Sequence, residues 1–237
     1  MSLYRDEGIV IRTYKLGEAD RIVVLLTKGR GKVRAVAKGV RKTSSRFGAR
    51  VEPPSHVSLQ LYEGRELDTI TQAESIDYFR AIRDDLDRIA RASAMLEAVD
   101  FMSQEREPNP RLFTMLLGAL RTLATDPHPL VAPSFFWKLL ALEGYRPVVE
   151  GCVTCGADDD LVAFDLEEGG LLCTVHRRGT SVSPAAVSLL QLILGGRLAA
   201  ALATPIGPAT SEVDHLATRA MEHHLERRLR SVGMLDR

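Results

Sequence analysis

The sequence is poor in cysteine and in long apolar runs, and each shortage excludes a class of protein. Three cysteines in 237 residues are too few, and odd in number, for the complete disulfide framework of a secreted domain. The longest apolar stretch, 185–203, is interrupted by Gln191, a Gly-Gly pair and Arg197, so it predicts no membrane-spanning helix. The first residues show no secretory pattern. We therefore expect a cytoplasmic protein with no membrane partner.

Motifs that carry catalysis are missing as well. The chain has no G-x-x-x-x-G-K-[ST] phosphate loop, no G-x-S-x-G nucleophile turn and no H-E-x-x-H metalloprotease helix. Its acidic clusters, at 84–85 and 158–160, fall on predicted surfaces, whereas a two-metal nuclease needs carboxylates gathered from core strands. The sequence predicts a protein that is not an enzyme and that has no small-molecule substrate.

A net charge of zero hides a strong asymmetry along the chain. Residues 1–50 hold thirteen Lys and Arg against four Asp and Glu, a net charge of +9, which leaves −9 for residues 51–237. A charged segment can be ordinary solvated surface, but here the excess continues over several predicted strands. It indicates an anionic partner, and nucleic acid is the first candidate.

Residues 4–80 have the pattern of a strand-rich domain. Turn residues separate five short runs rich in β-branched and aliphatic residues, at 8–14, 21–27, 32–37, 56–62 and 67–72. Five short strands at this spacing predict a small closed barrel of the OB type, a fold that binds oligonucleotides. The segment 39–50 is interpreted as a basic loop.

The third predicted strand alternates between apolar and basic residues. Odd-numbered residues from Val33 to Ala37 fall on one face, and Lys32, Arg34 and Lys38 fall on the other. We therefore predict that DNA phosphates bind the cations of this hairpin and of the loop after it. These cations are Arg30, Lys32, Arg34, Lys38, Arg41, Lys42 and Arg46.

From about residue 80 the apolar residues follow a helical period. One stripe begins at Leu86, and further helices are predicted over 111–124, 133–142, 184–194 and 211–231. The aromatic run 135–137 is interpreted as core and not as a base-stacking platform. Near the end of the last helix, a group of three arginines either complements the helix dipole or contacts DNA. They are Arg227, Arg228 and Arg230.

Residues 150–180 contain all three cysteines. Cys152 and Cys155 form one pair, and Cys173 and His176, which follow after seventeen residues, form a second. Two ligand pairs with this spacing are typical of a tetrahedral zinc site, and four protein ligands leave no open position, so the site is predicted to be structural. A redox role is disfavoured because no βαβ pattern surrounds the cysteines. A site without metal stays open as the alternative.

Segments in order along the chain resemble the RecO family of bacterial recombination mediators. They lie at 8–12, 17–23, 29–41, 68–74, 109–113, 142–147, 152–156 and 168–173. The resemblance covers nearly the whole chain, and the order of the segments makes it specific. The sequence differs from the family pattern at one position, because many members carry cysteine where this chain has His176. A Cys3His set is still an accepted zinc ligand set.

The resemblance implies an α+β multidomain protein. Its parts are an N-terminal five-stranded OB-type barrel (1–80), an α-helical domain (81–149 and 181–237) and an inserted zinc-binding module (150–180). It implies binding of single- and double-stranded DNA and annealing of complementary strands. It also implies partnership with RecR and with single-stranded-DNA-binding protein in loading recombinase during DNA repair, with the protein at the nucleoid when bound to DNA.

A second function is compatible with the charge pattern alone. The chain could be a protein-interaction adaptor whose basic OB domain docks the acidic tails of partner proteins. Titration with labelled single-stranded DNA and with an acidic peptide across a salt series separates the two functions.

Overall fold

The computed structural model describes residues 2–42, 45 and 47–231. The chain divides into two compact units, one formed by 1–125 with 230–237 and the other by 126–229. In the described ranges, no helix is long and apolar enough to cross a bilayer. The first unit holds the barrel together with the helices up to residue 125. The segment boundaries predicted at residues 80, 149 and 180 stay predictions.

The first unit is built around a closed barrel of five strands. These are β1 (Leu3–Leu16), β2 (Asp20–Thr27), β3 (Gly31–Ala37), β4 (Ser55–Tyr62) and β5 (Asp68–Asp77). Their order is β1-β2-β3-β5-β4, and β4 pairs back onto β1. Neighbours are antiparallel except for β3 and β5, which pair in parallel over two residue pairs. The OB-type barrel predicted from the sequence is confirmed.

A bulge in β1 changes which of its side chains enter the barrel. Val10 pairs with Leu25, and both are fully buried in the barrel core. The register shifts between Val10 and Arg12, so that Arg12 pairs with Val24, which lies one position from Leu25. Since successive strand residues point to opposite faces, the extra residue Ile11 turns Arg12 away from the barrel interior.

Three helices of the first unit follow the barrel, at α1 (Arg80–Arg83), α2 (Leu86–Met102) and α3 (Pro110–Thr125). Asp85 caps α2, because its side chain accepts a hydrogen bond from the amide of Arg88. Leu86 is 81% exposed. The prediction that it is the first residue of the buried apolar stripe is therefore wrong. Small residues, mostly alanine, supply much of the buried surface of α2.

The loop between α2 and α3 covers the part of β3 that has no partner in β5. The amide of Arg106 donates to the carbonyl of Lys32 at 2.9 Å. Gly31 permits this close approach, since its φ is +69° and a Cβ there would lie 1.9 Å from the carbonyl oxygen of Glu107. The loop thereby satisfies backbone groups that an open strand edge would expose.

The second unit combines helices with a small sheet. Its elements are α4 (Val131–Leu142), β6 (Leu161–Asp165), β7 (Gly170–Cys173), β8 (Thr180–Ser181), α5 (Pro184–Leu194), α6 (Leu198–Leu202) and α7 (Pro208–Leu225). The sheet has the order β7-β6-β8. Helix α7 ends at Leu225 and not near 231 as predicted, because Glu226 adopts a left-handed conformation with φ of 52°.

The aromatic run on α4 is part of the core of this unit. Phe135, Phe136 and Trp137 are each no more than 2% exposed, which confirms the core interpretation. The Trp137 ring lies 5.6 Å from the ring of Phe164 on β6. This contact joins the small sheet to the helices of the same unit.

Candidate nucleic-acid interface and metal centre

The outer surface of β1, β2 and β3 carries its side chains in rows. Residues paired directly across antiparallel strands point to the same side of a sheet. One row is Arg12, Val24 and Arg34, and the next is Tyr14, Ile22 and Val36. We name this outer surface the three-strand face. In OB-type barrels, the surface of β2 and β3 is the one that contacts oligonucleotides.

Among the predicted DNA-binding residues that the structure describes, Lys32 is the least exposed. Its side chain is 13% exposed, and Nζ lies 3.7 Å from the carboxylate of Asp100 on α2. The same ammonium donates to the Asp100 carbonyl at 2.6 Å. Asp100 also accepts from Arg12 Nη1 at 3.0 Å. One acidic residue of α2 thus holds two cations of the barrel in place.

Arg34 is more accessible and has a weaker partner. Its Nη1 lies 3.6 Å from Glu105 Oε1, and the two side chains are 42% and 48% exposed. An exposed pair of this kind contributes little stability, about 0 to 1 kcal/mol. A phosphate can therefore replace the Glu105 carboxylate at small cost.

Arg30, at the turn between β2 and β3, is held in a network. Its guanidinium lies 3.9 Å from the centre of the Tyr4 ring. The Tyr4 hydroxyl donates to Asp68, which is fully buried. Burial and this carboxylate raise the pKa of Tyr4. Arg106 Nη2 donates to the same carboxylate at 3.0 Å, so the carboxylate is compensated by a cation.

The cations after β3 are exposed. The side chain of Lys38 forms no hydrogen bond or ion pair within the part of the chain that the structure describes, and it borders an open cavity of about 430 Å³ beside Tyr62. Arg41 donates from Nη1 to the carbonyl of Gly17 at 3.3 Å, and Lys42 is exposed. Arg46 lies outside the described residues.

The three-strand face includes two residues that the sequence pattern did not indicate. Simple alternation along β1 puts Arg12 and Tyr14 on the same side as Val10, inside the barrel. The bulge at Ile11 reverses this. The sequence near Ile11 gives only a weak signal for the bulge, because isoleucine is an ordinary strand residue. DNA binding by the seven cations named above stays a prediction.

Four side chains of the second unit meet at one point. Cys152, Cys155, Cys173 and His176 each offer a ligand atom, and these atoms lie within 4.8 Å of one another. Cys173 Sγ is 3.4 Å from His176 Nδ1, and Cys155 Sγ is 3.9 Å from Cys173 Sγ. Ligand atoms bound to one tetrahedral zinc stand about 3.5 to 3.8 Å apart. The four residues fit a metal ion of that size and geometry.

The backbone around this cluster explains why the side chains converge. The amide of Gly156 donates to the carbonyl of Cys152 at 2.7 Å, which closes a turn around the first ligand pair. Gly156 has a φ of +78°, a conformation that glycine adopts without strain. The second pair follows directly from β7, because Cys173 ends that strand and His176 ends the short 3-10 turn after it.

The surroundings of the first cysteine favour its ionised form. Burial raises the pKa of the Cys152 thiol, but hydrogen bonds from amides, led by those of Cys173 and Cys155, outweigh burial and lower the pKa to about 6. A thiolate is the form of cysteine that binds metal. The cluster can hold a metal ion with all four protein ligands.

Comparison with known proteins gives matches over nearly the whole chain. The family model described as recombination protein O N terminal matches residues 1–79, and the model described as recombination protein O C terminal matches residues 83–232. A protein of a Nocardioides species, named DNA repair protein RecO, is 46% identical to this chain. The alignment covers 99% of this chain and the full length of the relative.

Two further relatives carry the same name and match at similar identity. The DNA repair protein RecO of Frankia casuarinae is 45% identical, and that of Thermobifida fusca is 44% identical. Both alignments span all of this chain and all of the relative.

Proposed function

Because the chain belongs to the RecO family of DNA repair proteins, we propose that it binds single- and double-stranded DNA, anneals complementary strands and acts as a recombination mediator. The observation that carries this proposal is the exposure of Arg34 and Lys38 on and beside the three-strand face. Arg34 has one exposed, displaceable partner, and Lys38 has none among the described residues. DNA repair is the part of this function that the comparisons establish.

The proposed binding is mainly electrostatic. Arginine and lysine neutralise backbone phosphates and release condensed counterions, so affinity falls steeply as salt rises. Phosphate contacts carry no sequence information directly, and we expect little sequence preference. When the charge of two strands is covered, their mutual repulsion drops, and complementary bases can pair. Annealing in this scheme needs no catalytic residue.

Six of the seven predicted cations belong to the described residues, and these six divide into two groups. Arg34, Lys38, Arg41 and Lys42 are the exposed ones and form the proposed phosphate contacts. Arg30 and Lys32 contact Glu63 and Asp100 respectively, so we propose that they contribute mainly to the local field. Arg12, which shares Asp100 with Lys32, joins this second group as an addition from the structure.

In this proposal the metal ion is zinc, and its role is structural. Cys152, Cys155, Cys173 and His176 would hold it, and four protein ligands would leave no position for a substrate. The ion would link the turn at 152–156 to the end of β7. Residues 150–180 are too few to bury a core of their own, so the metal would stabilise this segment.

The proposed partners are RecR and single-stranded-DNA-binding protein, with which the chain would load recombinase onto coated DNA. The proposed location is the cytoplasm, at the nucleoid when DNA is bound. These partners are proposed because the chain belongs to the RecO family.

A double charge reversal tests the DNA-binding proposal. Arg34→Glu with Lys38→Glu should weaken binding of a labelled oligonucleotide about tenfold or more. It should also reduce the slope of log affinity against log salt by about 1.4 for a single strand, because two phosphate contacts are lost. Fluorescence anisotropy over a salt series gives both quantities, and a strand-annealing assay gives the functional result.

The matched control reverses two cations elsewhere in the first unit. Arg80 on α1 and Arg121 on α3 are exposed and lie outside the three-strand face, and Arg80→Glu with Arg121→Glu changes the net charge by the same amount. If the Arg34/Lys38 variant keeps its DNA affinity at both low and moderate salt, these two residues are not DNA contacts. If both double variants lose the same affinity, the effect comes from net charge and not from the three-strand face.

The adaptor function makes a different prediction in the same assay. If the basic surface docks acidic tails, an acidic peptide should bind as tightly as single-stranded DNA and should compete with it at equal salt. We expect DNA to bind more tightly, because the exposed cations surround an aromatic and aliphatic surface that can also contact bases.

A further inference from the structure

We propose that Tyr14 is a stacking site for unpaired bases, so that the three-strand face distinguishes single-stranded from double-stranded DNA. This inference rests on the proposed DNA-binding function and adds to it a residue that selects between the two substrates. It is carried by the register of three strands, the exposure of one ring and the charges around that ring.

The register places Tyr14 in an apolar row. Tyr14 pairs with Ile22, and Ile22 pairs with Val36. All three therefore project from the outer side of the barrel. Tyr14 is 41% exposed, and the other two are half-buried. The result is one accessible aromatic ring beside an aliphatic strip, which offers a flat surface to a base.

The ring is held in position by its neighbour along the strand. The Arg12 guanidinium lies 4.8 Å from the centre of the Tyr14 ring. Arg12 is itself fixed by Asp100, which accepts from it at 3.0 Å. An aromatic group that is already ordered loses less conformational freedom when a ligand stacks on it. The contact with Arg12 therefore orders the Tyr14 ring in part before a base binds.

Cations lie near the apolar row, in the next row along the strands and just after β3. Arg12 and Arg34 form the row next to it, and strand geometry puts that row about 6.6 Å away along the strands. Lys38 follows Val36 by two residues, just past the end of β3 at Ala37, and borders the cavity beside Tyr62. Cations near an aromatic surface are complementary to a nucleotide chain, whose phosphates flank its bases.

Single-stranded DNA is the occupant that fits this surface. In a duplex the base faces are stacked on one another and cannot reach a side chain without being flipped out. An unpaired strand exposes those faces, and every base can stack on an aromatic ring, so the contact needs no particular sequence. An acidic peptide would satisfy the cations but would leave the ring without a stacking partner.

The first unit contains a closely matched control residue. Tyr78 is 39% exposed, and the Arg83 guanidinium lies 4.0 Å from the centre of its ring. Its exposure and its cation contact resemble those of Tyr14, but it follows the end of β5 and lies outside the three-strand face. Removal of the Tyr78 ring measures the general effect of losing an exposed tyrosine.

The experiment compares the full chain and its variants on a thymidine oligonucleotide and on a duplex of equal length. Tyr14→Ala should weaken single-strand binding about tenfold, the size of one lost base stack, and should change duplex binding less than about twofold. Tyr14→Phe should bind as the parent does. Tyr78→Ala should change neither affinity, and the salt slopes of all these variants should equal that of the parent.

Tyr14→Leu serves if the alanine variant is unstable, because leucine keeps the apolar cover of the face but cannot stack as an aromatic ring does. It should show the same selective loss. Equal losses on both DNA forms, or no loss on either, would overturn the stacking role. If Arg34→Glu with Lys38→Glu still weakens the binding of both DNA forms in that case, the proposed function stands without the stacking role of Tyr14. If the charge reversal has no effect, the proposed function itself fails.

Discussion

Glu105 competes with DNA for Arg34 in our interpretation, and its removal should increase affinity. The substitution Glu105→Gln keeps the shape of the side chain and removes its charge. In the structure Arg34 Nη1 lies 3.6 Å from Glu105 Oε1, and both side chains are almost half exposed. Any phosphate that binds Arg34 must displace this carboxylate or approach close to it.

The expected gain follows from the geometry. In bulk water two unit charges at this distance attract by about 1.2 kcal/mol, and exposed pairs in proteins measure about 0.2 to 1 kcal/mol. Removing Glu105 eliminates this competing attraction and also the repulsion between the carboxylate and the arriving phosphate. Together these effects should strengthen DNA binding about two- to fivefold at low salt. The gain should shrink as salt screens the charges.

Fluorescence anisotropy with a labelled oligonucleotide at several salt concentrations measures this gain. Glu74→Gln is the control, since Glu74 is exposed on β5 and its loss changes the net charge by the same amount. A double-mutant cycle with Arg34→Gln makes the test specific. If Glu105→Gln strengthens binding equally when Arg34 is absent, or does not strengthen it at all, the competition is disproved.

Three further predictions concern metal and stability. The purified chain should contain one zinc per molecule. His176→Ala should lose the zinc, and its thiols should then react rapidly with Ellman's reagent. His176→Cys should retain the zinc. Gly31→Ala should lower the free energy of unfolding by about 2 kcal/mol, from the left-handed backbone and the contact with Glu107; a loss below 0.5 kcal/mol in urea unfolding would contradict this. Asp68→Asn should cost about 2 kcal/mol by the same measurement, because one buried carboxylate oxygen that accepts hydrogen bonds from Tyr4, Gly64 or Arg106 becomes an NH2 donor; a neutral effect would show that the network is not stabilising.

The parts of the fold that the sequence predicted well depend on local spacing. Alternation and turn residues indicated five strands, and the barrel has five at nearly those positions. The metal cluster followed from two pairs of ligands, because two residues three positions apart in a turn bring their side chains to one point. The buried run at 135–137 followed from the size of its aromatic side chains.

The composition of the three-strand face could not be predicted in the same way. One extra residue at the β1 bulge reverses the facing of Arg12 and Tyr14, and the sequence has no strong local signal for it. Lys32 and Arg34 alternate correctly, but their accessibility depends on Asp100 and Glu105, which follow about seventy residues later. Counting charge along a segment does not reveal such partners.

The sequence by itself determined that the N-terminal segment forms a barrel, that it carries excess positive charge and that Cys152, Cys155, Cys173 and His176 can share a metal ion. These are properties of neighbouring residues and of short repeats. The tertiary structure alone decided which cations remain exposed and which aromatic ring lies among them. The physical reason is that side-chain accessibility depends on strand register and on the packing of α2 and its following loop against β3, and both are set by contacts between residues distant in the chain.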